Sequence, residues 1–244
     1  MKLINLHFKF HFLKCGVLSL TLFLLSLPSQ AQLSSFLKSI DEVEIQMGPG
    51  LVSLYNENIT KDIRQLKIGY TAKLGLIHSF NKKFSLSTGL LYQRKGLKTK
   101  YQVLYYDPSI DVNNCKCTTS LGTTENNSNM DYISLAILLN VKVRETNFYI
   151  NGGPFVGHLL KAQGERKNLW DNSYEINDIK YLYKKTDFGI SLSIGYKFII
   201  KEKTGFYIQI IDNYGLLNIT NTKVSQTVTK TSSFSILVGL TISK

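Results

Sequence analysis

Residues 186–198 read TDFGISLSIGYKF, and their alternation decides the fold. Phe188, Ile190, Leu192, Ile194, Tyr196 and Phe198 share one side of an extended chain, and Gly189, Ser191, Ser193, Gly195 and Lys197 share the other. Successive side chains of a β-strand point to opposite faces, so this period of two marks a strand with one apolar and one polar face. Residues 233–243 (SFSILVGLTIS) repeat it, with Phe234, Ile236, Val238, Leu240 and Ile242 opposite Ser235, Leu237, Gly239, Thr241 and Ser243. Residues 83–96 (KFSLSTGLLYQRKG) do so again, with Phe84, Leu86, Thr88, Leu90 and Tyr92 on the apolar side.

Five further segments are rich in Tyr, Phe, Ile, Val and Thr and read as strands: 43–54, 66–80, 131–143, 147–160 and 205–214. An eight-stranded set with one apolar face fits two architectures. A soluble lipocalin-like lipid carrier turns that face inward, and a membrane barrel turns it outward around a polar lumen. Three features select the membrane barrel. Most segments run ten to fifteen residues, against about five to six for an ordinary strand and about nine to eleven for a membrane strand. Connections alternate in length: 55–65, 97–130, 161–185 and 215–232 are long, whereas 81–82, 144–146 and 199–204 are short. Long external loops and short periplasmic turns are the membrane-barrel pattern. Aromatics then gather at strand ends, with Phe80, Phe84, Phe148, Tyr149, Tyr196, Phe198, Phe206 and Tyr207 beside the short turns and Tyr55, Tyr92, Tyr132 and Tyr214 beside the long loops. Two such bands are expected at two membrane interfaces. The predicted fold is therefore all-β, an eight-stranded antiparallel up-and-down transmembrane β-barrel. Its even strand count puts both termini on the periplasmic side. With strand one closing on strand eight no edge is left, and a monomeric barrel is expected.

The first residues are read apart from this fold. Lys2, Lys9 and Lys14 precede an apolar run, CGVLSLTLFLLSL at 15–27, and Ser29-Gln30-Ala31 supplies small residues for cleavage. The run is shorter than the roughly 20 residues of a spanning helix. Residues 1–31 are thus expected to be a cleaved signal peptide, 32–42 a short periplasmic segment, and 43–244 the barrel. The formal charge of +12 falls by the three signal lysines to +9 in the mature chain. Export argues against nucleic acid as the partner, and outer-membrane lipid with lipopolysaccharide phosphates is the expected anionic neighbour. Cys115 and Cys117 lie in a polar stretch without the further ligands that a zinc site needs, and read as loop thiols or one small staple.

Several stretches resemble a known family: LSTGLLYQRKG at 86–96, DYISLAILLNVKV at 131–143, FYINGGPFVGHLL at 148–160, DFGISLSIGY at 187–196 and NYGLLNI at 213–219. Together they resemble the outer-membrane β-barrel family common in Bacteroidota, often called PorT-like, and the resemblance covers essentially the whole mature chain. It implies a Gly-rich strand ending in a basic turn, a Tyr-led apolar strand, and an aromatic-Asn-x-Gly-Pro strand. The founding member is associated with a secretion system for surface proteins, so other envelope or secretion proteins are expected partners. Gly152-Gly153-Pro154 is expected to make a bend or bulge.

No motif carries chemistry: phosphate loops, paired-histidine metal motifs and a Ser/His/Asp set are not seen, and neither catalysis nor a cofactor is expected. After the signal only His78 and His158 remain, near opposite ends of the barrel wall. An acyl-transfer site would need a Ser or Thr beside a His at the outer rim, and His158 has no assigned nucleophile. The inward positions carry charge, above all Glu44, Lys67, Lys73, Lys95, Lys142 and Lys197, with Gln46, Lys83, Asn140 and Gln209. These could line a narrow porin-like channel or pack as a plug. Eight strands enclose a space that side chains just fill, which favours the plug, with Glu44 paired to a lysine. The long loops hold Tyr101, Tyr105, Tyr106, Arg166, Trp170, Tyr174, Tyr181 and Tyr183. Tyr, Trp and Arg favour binding hot spots, and strands continued beyond the membrane would carry the same residues; both readings stand. The functional expectation is a surface-binding, scaffold or secretion-accessory barrel acting through its loops, with the channel as runner-up.

Overall fold

The computed structural model describes residues 39–56, 63–106, 119–143, 146–169 and 172–244. The expected signal peptide, Cys115, Cys117 and Trp170 lie outside the described residues. From Asp41 to Lys244 the chain is one compact unit. Its strands are β1 (Glu42–Asn56), β2 (Arg64–Gln65), β3 (Lys67–Ser79), β4 (Phe84–Tyr106), β5 (Thr119–Lys142), β6 (Phe148–Asn168), β7 (Tyr174–Asp178), β8 (Thr186–Lys201), β9 (Thr204–Gly215) and β10 (Thr229–Ser243). Eight of them form a ring of antiparallel neighbours, β1-β3-β4-β5-β6-β8-β9-β10, closed by β10 on β1. The ring leaves no open edge. The two-residue β2 adds to β4, and β7 adds to β6 outside the ring.

Burial identifies which face looks where. In β8, Asp187, Gly189, Ser191, Ser193 and Gly195 are buried, while Phe188, Ile190, Leu192 and Ile194 are exposed. In β10, Phe234, Ile236, Val238 and Leu240 are exposed, while Thr231, Ser233, Ser235 and Thr241 are buried. A water-soluble barrel would do the opposite. This one presents an apolar surface and a polar interior, the arrangement a bilayer requires, and it removes the carrier alternative.

One choice left open is decided, and two expectations change. The stretches 97–130 and 161–185 are largely strand: β4 and β5 pair in unbroken register out to Tyr106↔Thr119, and β6 follows β5 to Thr124↔Asn168. The register shifts lie at Asp131/Tyr132, opposite Leu159 and Lys161, and between Ile199 and Lys201 of β8, not at Gly152-Gly153-Pro154. Around Pro154 the register to β8 runs on, and only the pairing to β5 lapses, because proline has no N–H to give a ladder. Gly153 is required there for a different reason. A Cβ on it would run into the Ile137 carbonyl oxygen, and one on Gly48, before Pro49 of β1, would run into that of Ile236.

The aromatic bands also split. Phe80, Phe84, Phe148 and Phe198 are exposed near the short turns, and Phe148 and Phe198 each meet Tyr196 edge-on, at 4.7 and 4.5 Å. Tyr55 and Tyr214, with Tyr70 and Tyr92, pair at the other end. Tyr132, Tyr149 and Tyr207 instead face the lumen and are 0%, 7% and 4% exposed. Tyr149 follows Phe148 and Tyr207 follows Phe206, and adjacent strand residues cannot share a face.

Candidate functional site

Within the ring, polar and apolar layers alternate. Glu44 forms an ion pair with Lys73, and both are almost wholly buried. The Glu44 carboxylate also accepts Gln46 Nε2 at 2.9 Å and Ser87 Oγ at 3.2 Å. Nearby, Gln209 Nε2 donates to Ser193 Oγ at 2.6 Å and Thr71 meets Ser235 at 3.1 Å. An apolar cluster then crosses the lumen, with Leu91, Ala136, Leu138, Phe155, Ile211 and Leu237 all buried. Beyond it lies a second ion pair, Lys95 Nζ to Asp187 Oδ2 at 3.1 Å, with both side chains 0% exposed. Thr231 Oγ1 donates to the same carboxylate oxygen at 2.7 Å. Lys95 Nζ sits 4.8 Å from the Phe155 ring centre and 5.3 Å from that of Tyr132, so it bridges the apolar layers on both sides. Removing a buried charge from water is tolerated where pairing and hydrogen bonds offset the cost; here Lys95 and Thr231 both engage Asp187 Oδ2, while Oδ1 has no hydrogen-bond partner among the described residues.

The end away from the short turns is capped by loops. Ile219 is 0% exposed and joins Leu54, Leu97, Met130, Tyr132, Leu159 and Ala162, with Ile179 and Tyr183 packed against them. Backbone bonds hold this cap down: Lys184 N donates to Ile219 O, Leu159 N to Lys185 O and Asn221 N to Leu182 O, at 2.6–2.8 Å. Tyr183 bridges Thr220 in the same place, and burial pushes its hydroxyl pKa up.

Past the cap, β4, β5 and β6 rise as a wall held by side-chain bonds. Lys67 Nζ donates to Asn127 Oδ1, to Ser128 O at 2.7 Å and to Asn129 Oδ1 at 2.7 Å. The amide nitrogens of Asn127 and Asn129 in turn hold both oxygens of Glu165, at 2.8 and 2.9 Å. Arg94 grips Asp131 with two bonds of 2.7 and 3.0 Å and lies 5.0 Å over Tyr70. Glu125 faces Lys98 at 3.4 Å and Lys100 at 3.5 Å. Desolvation pushes its carboxyl pKa up, but the bonds and charges of the two lysines prevail and hold it below the usual range.

The six expected lumen residues divide. Glu44, Lys73 and Lys95 lie inside the ring, and Lys67 reaches up from the far end into the wall. Lys197 is half-buried at the turn end, paired with Glu42 at 2.7 Å. Lys142 is exposed at the rim of that mouth, because β5 has left the ring's interior by its last residue. Lys83 stands exposed in the turn before β4. Among the described residues the loop aromatics are not gathered into one surface. Tyr101 is half-buried and accepts Asn126 Nδ2 at 3.1 Å, Tyr105 and Tyr106 stand at the tip of β4, and Arg166, Tyr174 and Tyr181 are exposed. Tyr183 is withdrawn from the surface, since it packs on the cap cluster. His158 is exposed, whereas Ser134 on the neighbouring strand is buried toward the lumen, so the wall separates them. Asp187, Glu165 and Ile219 are absent from the residues that the sequence singles out. Asp187 had a usable signal, since it shares parity with Ser191 and Ser193; Ile219 is one of several apolar residues in its loop, with Leu216, Leu217 and Val224, and nothing in the sequence marks it out from them.

Residues 30–221 match the family model described as outer membrane protein beta-barrel domain. Among curated proteins none matches the chain. Among solved structures, the chain is similar to Ail, the attachment invasion locus protein of Yersinia pestis, in complex with the heparin analogue sucrose octasulfate: 12% identity over 83% of this chain and 99% of that one, TM-score 0.43. It is also similar to Neisserial surface protein A, at 10% identity over 83% and 97% with TM-score 0.39. A third is the outer membrane protease OmpT of Escherichia coli, at 6% identity over 84% and 97% with TM-score 0.40.

Proposed function

This chain belongs to the outer membrane protein beta-barrel domain family, and from that premise we propose that it is a non-catalytic surface-binding protein whose working part is the wall raised by β4, β5 and β6. It is an outer-membrane β-barrel. With short turns on the periplasmic side, the wall stands outside the cell. The observation that carries the reading is strand length: β4, β5 and β6 have 23, 24 and 21 residues, whereas β3 and β9 have 13 and 12. A membrane strand needs about nine to eleven residues. The excess of about ten residues carries the sheet on the order of 30 Å further along the strands. Recognition concentrates on such projections from a rigid scaffold. Arg166 of β6 and Tyr174, Glu175 and Ile176 of β7 are exposed for it.

Basic side chains at the outer edge of the apolar band support lipopolysaccharide phosphates as a neighbour: Lys161 and Lys185 are exposed and Arg94 is half-exposed. The five stretches quoted above support placement in the Bacteroidota PorT-like branch, with envelope or secretion proteins as partners of the wall. The layered lumen argues against the channel, because two apolar clusters and a buried ion pair interrupt the polar path among the described residues.

The test places a photo-crosslinking amino acid at Tyr174 or Arg166 in intact cells, with Ser191 in the lumen as control. A discrete adduct from the wall positions alone is expected. Equal labelling at Ser191, or stepwise conductance of the purified barrel in planar bilayers, would reject the reading.

A further inference from the structure

Among the described residues the two ends of the lumen differ: loops cap the outer end, and a cavity opens at the periplasmic end. A cavity of about 590 Å³ is let into the periplasmic end, lined among others by Lys82, Lys83, Lys142, Lys197, Lys201 and Tyr149. Its acids are Glu42 and Glu202. Glu42 is already engaged, accepting Lys197 Nζ at 2.7 Å, Thr241 Oγ1 at 3.1 Å and the Tyr207 hydroxyl at 3.4 Å. With that pair neutralised, four lysines face the single carboxylate of Glu202. Deeper in, Tyr149 is 7% exposed, and its hydroxyl has no hydrogen-bond partner among the described residues. Other buried hydroxyls of the ring, among them those of Tyr132 and Ser191, share that state, and Tyr149 is set apart by its place in the cavity lining. Above the cavity the Glu44–Lys73 pair and the apolar cluster around Leu91 and Phe155 close the lumen.

We propose that this mouth is a dead-end binding site for a phosphorylated small molecule entering from the periplasm. Four ammonium groups at the rim attract a multiply charged oxyanion, and the Tyr149 hydroxyl donates to one of its oxygens. A charge-assisted bond of that kind is about twice as strong as a neutral one. The volume falls within the roughly 300–1,000 Å³ of ordinary ligand pockets. The site is independent of the extracellular wall, so either can fail without the other.

The probe is pyrophosphate, titrated calorimetrically into the full-length barrel in zwitterionic detergent at physiological ionic strength. Saturable binding to one site is expected. The Lys142→Gln/Lys201→Gln variant and the Tyr149→Phe variant should each weaken it about tenfold or more, as loss of a hydrogen bond to a charged group does. Lys223→Gln, on the opposite side, should leave it unchanged. A heat-dependent gel shift checks that each variant is folded, and the two lysines, exposed at the rim, do not hold the ring together. A second arm measures acylation of Lys142 and Lys201 in nanodiscs of phosphatidylcholine and of phosphatidylglycerol. Protection by phosphatidylglycerol alone assigns the phosphoryl group to a lipid headgroup, and protection by pyrophosphate alone assigns it to a soluble solute. Protection by neither, or binding equally weakened by Lys223→Gln, overturns the site.

Discussion

Lys95 and Lys98 stand three residues apart on β4, and their surroundings have little in common. Lys95 is 0% exposed and meets Asp187, also 0% exposed, across the ring. Lys98 is 36% exposed and meets Glu125 on the adjoining strand at 3.4 Å. Inside the ring there is an opposite wall, so a charge must find its partner there or be stranded. Above it β4, β5 and β6 continue, flanked by β7 and by the two residues of β2, of which Gln65 pairs with Lys98 itself, and the Lys98 side chain is partly exposed to water. The same residue type is therefore a structural commitment at one position and half of a solvated surface pair at the other. Coulomb attraction scales inversely with the local dielectric, which accounts for the difference.

The largest effect is expected from breaking the inner pair. Lys95→Met leaves the Asp187 carboxylate buried with Thr231 as its hydrogen-bonding neighbour, and should cost about 3–5 kcal/mol. The measurement is the urea midpoint of the heat-modifiable band. Lys95→Met combined with Asp187→Leu should regain most of that loss, since a packed apolar pair has no charge to strand. An unchanged midpoint in the single variant would show that the pair does not act as a unit.

Next comes the contrast between the two faces of one strand. Leu192 is 59% exposed in the middle of the apolar face of β8, and Ser191 beside it is 0% exposed. Leu192→Arg should cost about 2–4 kcal/mol if that face lies at the bilayer midplane. Ser191→Ala should cost less than about 1 kcal/mol, because its hydroxyl has no hydrogen-bond partner among the described residues. Refolding into lipid vesicles reads both, and the reverse order would mean that the faces are assigned the wrong way round. Gly153→Ala follows. Its new Cβ would press on the Ile137 carbonyl oxygen, and overpacking of that kind costs about 1–3 kcal/mol.

The membrane part of the fold is legible in the sequence because burial there has only two states. Lipid selects apolar side chains and the lumen selects small or polar ones, so 186–198 and 233–243 carry the pattern openly. Above the membrane both faces carry polar residues, even where Thr99 and Thr124 are buried, and the pattern lapses. Residues 119–130 (TSLGTTENNSNM) continue β5 without a single run of alternating apolar residues. What holds them is pairing with β4 and the relay from Lys67 through Asn127 and Asn129 to Glu165, contacts between residues far apart in the chain. Tyr132, Tyr149 and Tyr207 face inward because parity along the strand, and not nearness to its end, sets the direction of a side chain. The cap is illegible for another reason: Ile219 is fixed by loops meeting in space.

The smallest expected effect belongs to the outer pair. Glu125 is 22% exposed between Lys98 and Lys100, and exposed pairs contribute about 0.2–1 kcal/mol. Its folded pKa lies below the usual value, so its contribution is fully present above the unfolded carboxylate pKa of about 4.3 and is lost as pH falls through the lower folded value. Glu125→Gln should therefore lower the urea midpoint slightly at pH 7 and not at all once pH is below both values. Raising salt to about 1 M, where screening acts over about 3 Å, should remove the difference at pH 7 as well. The Lys95→Met loss should survive the same salt, because the ring keeps ions from the pair. If both losses vanished together, the two lysines would occupy one electrostatic environment, and the division of β4 into a sealed and a solvated half would be wrong.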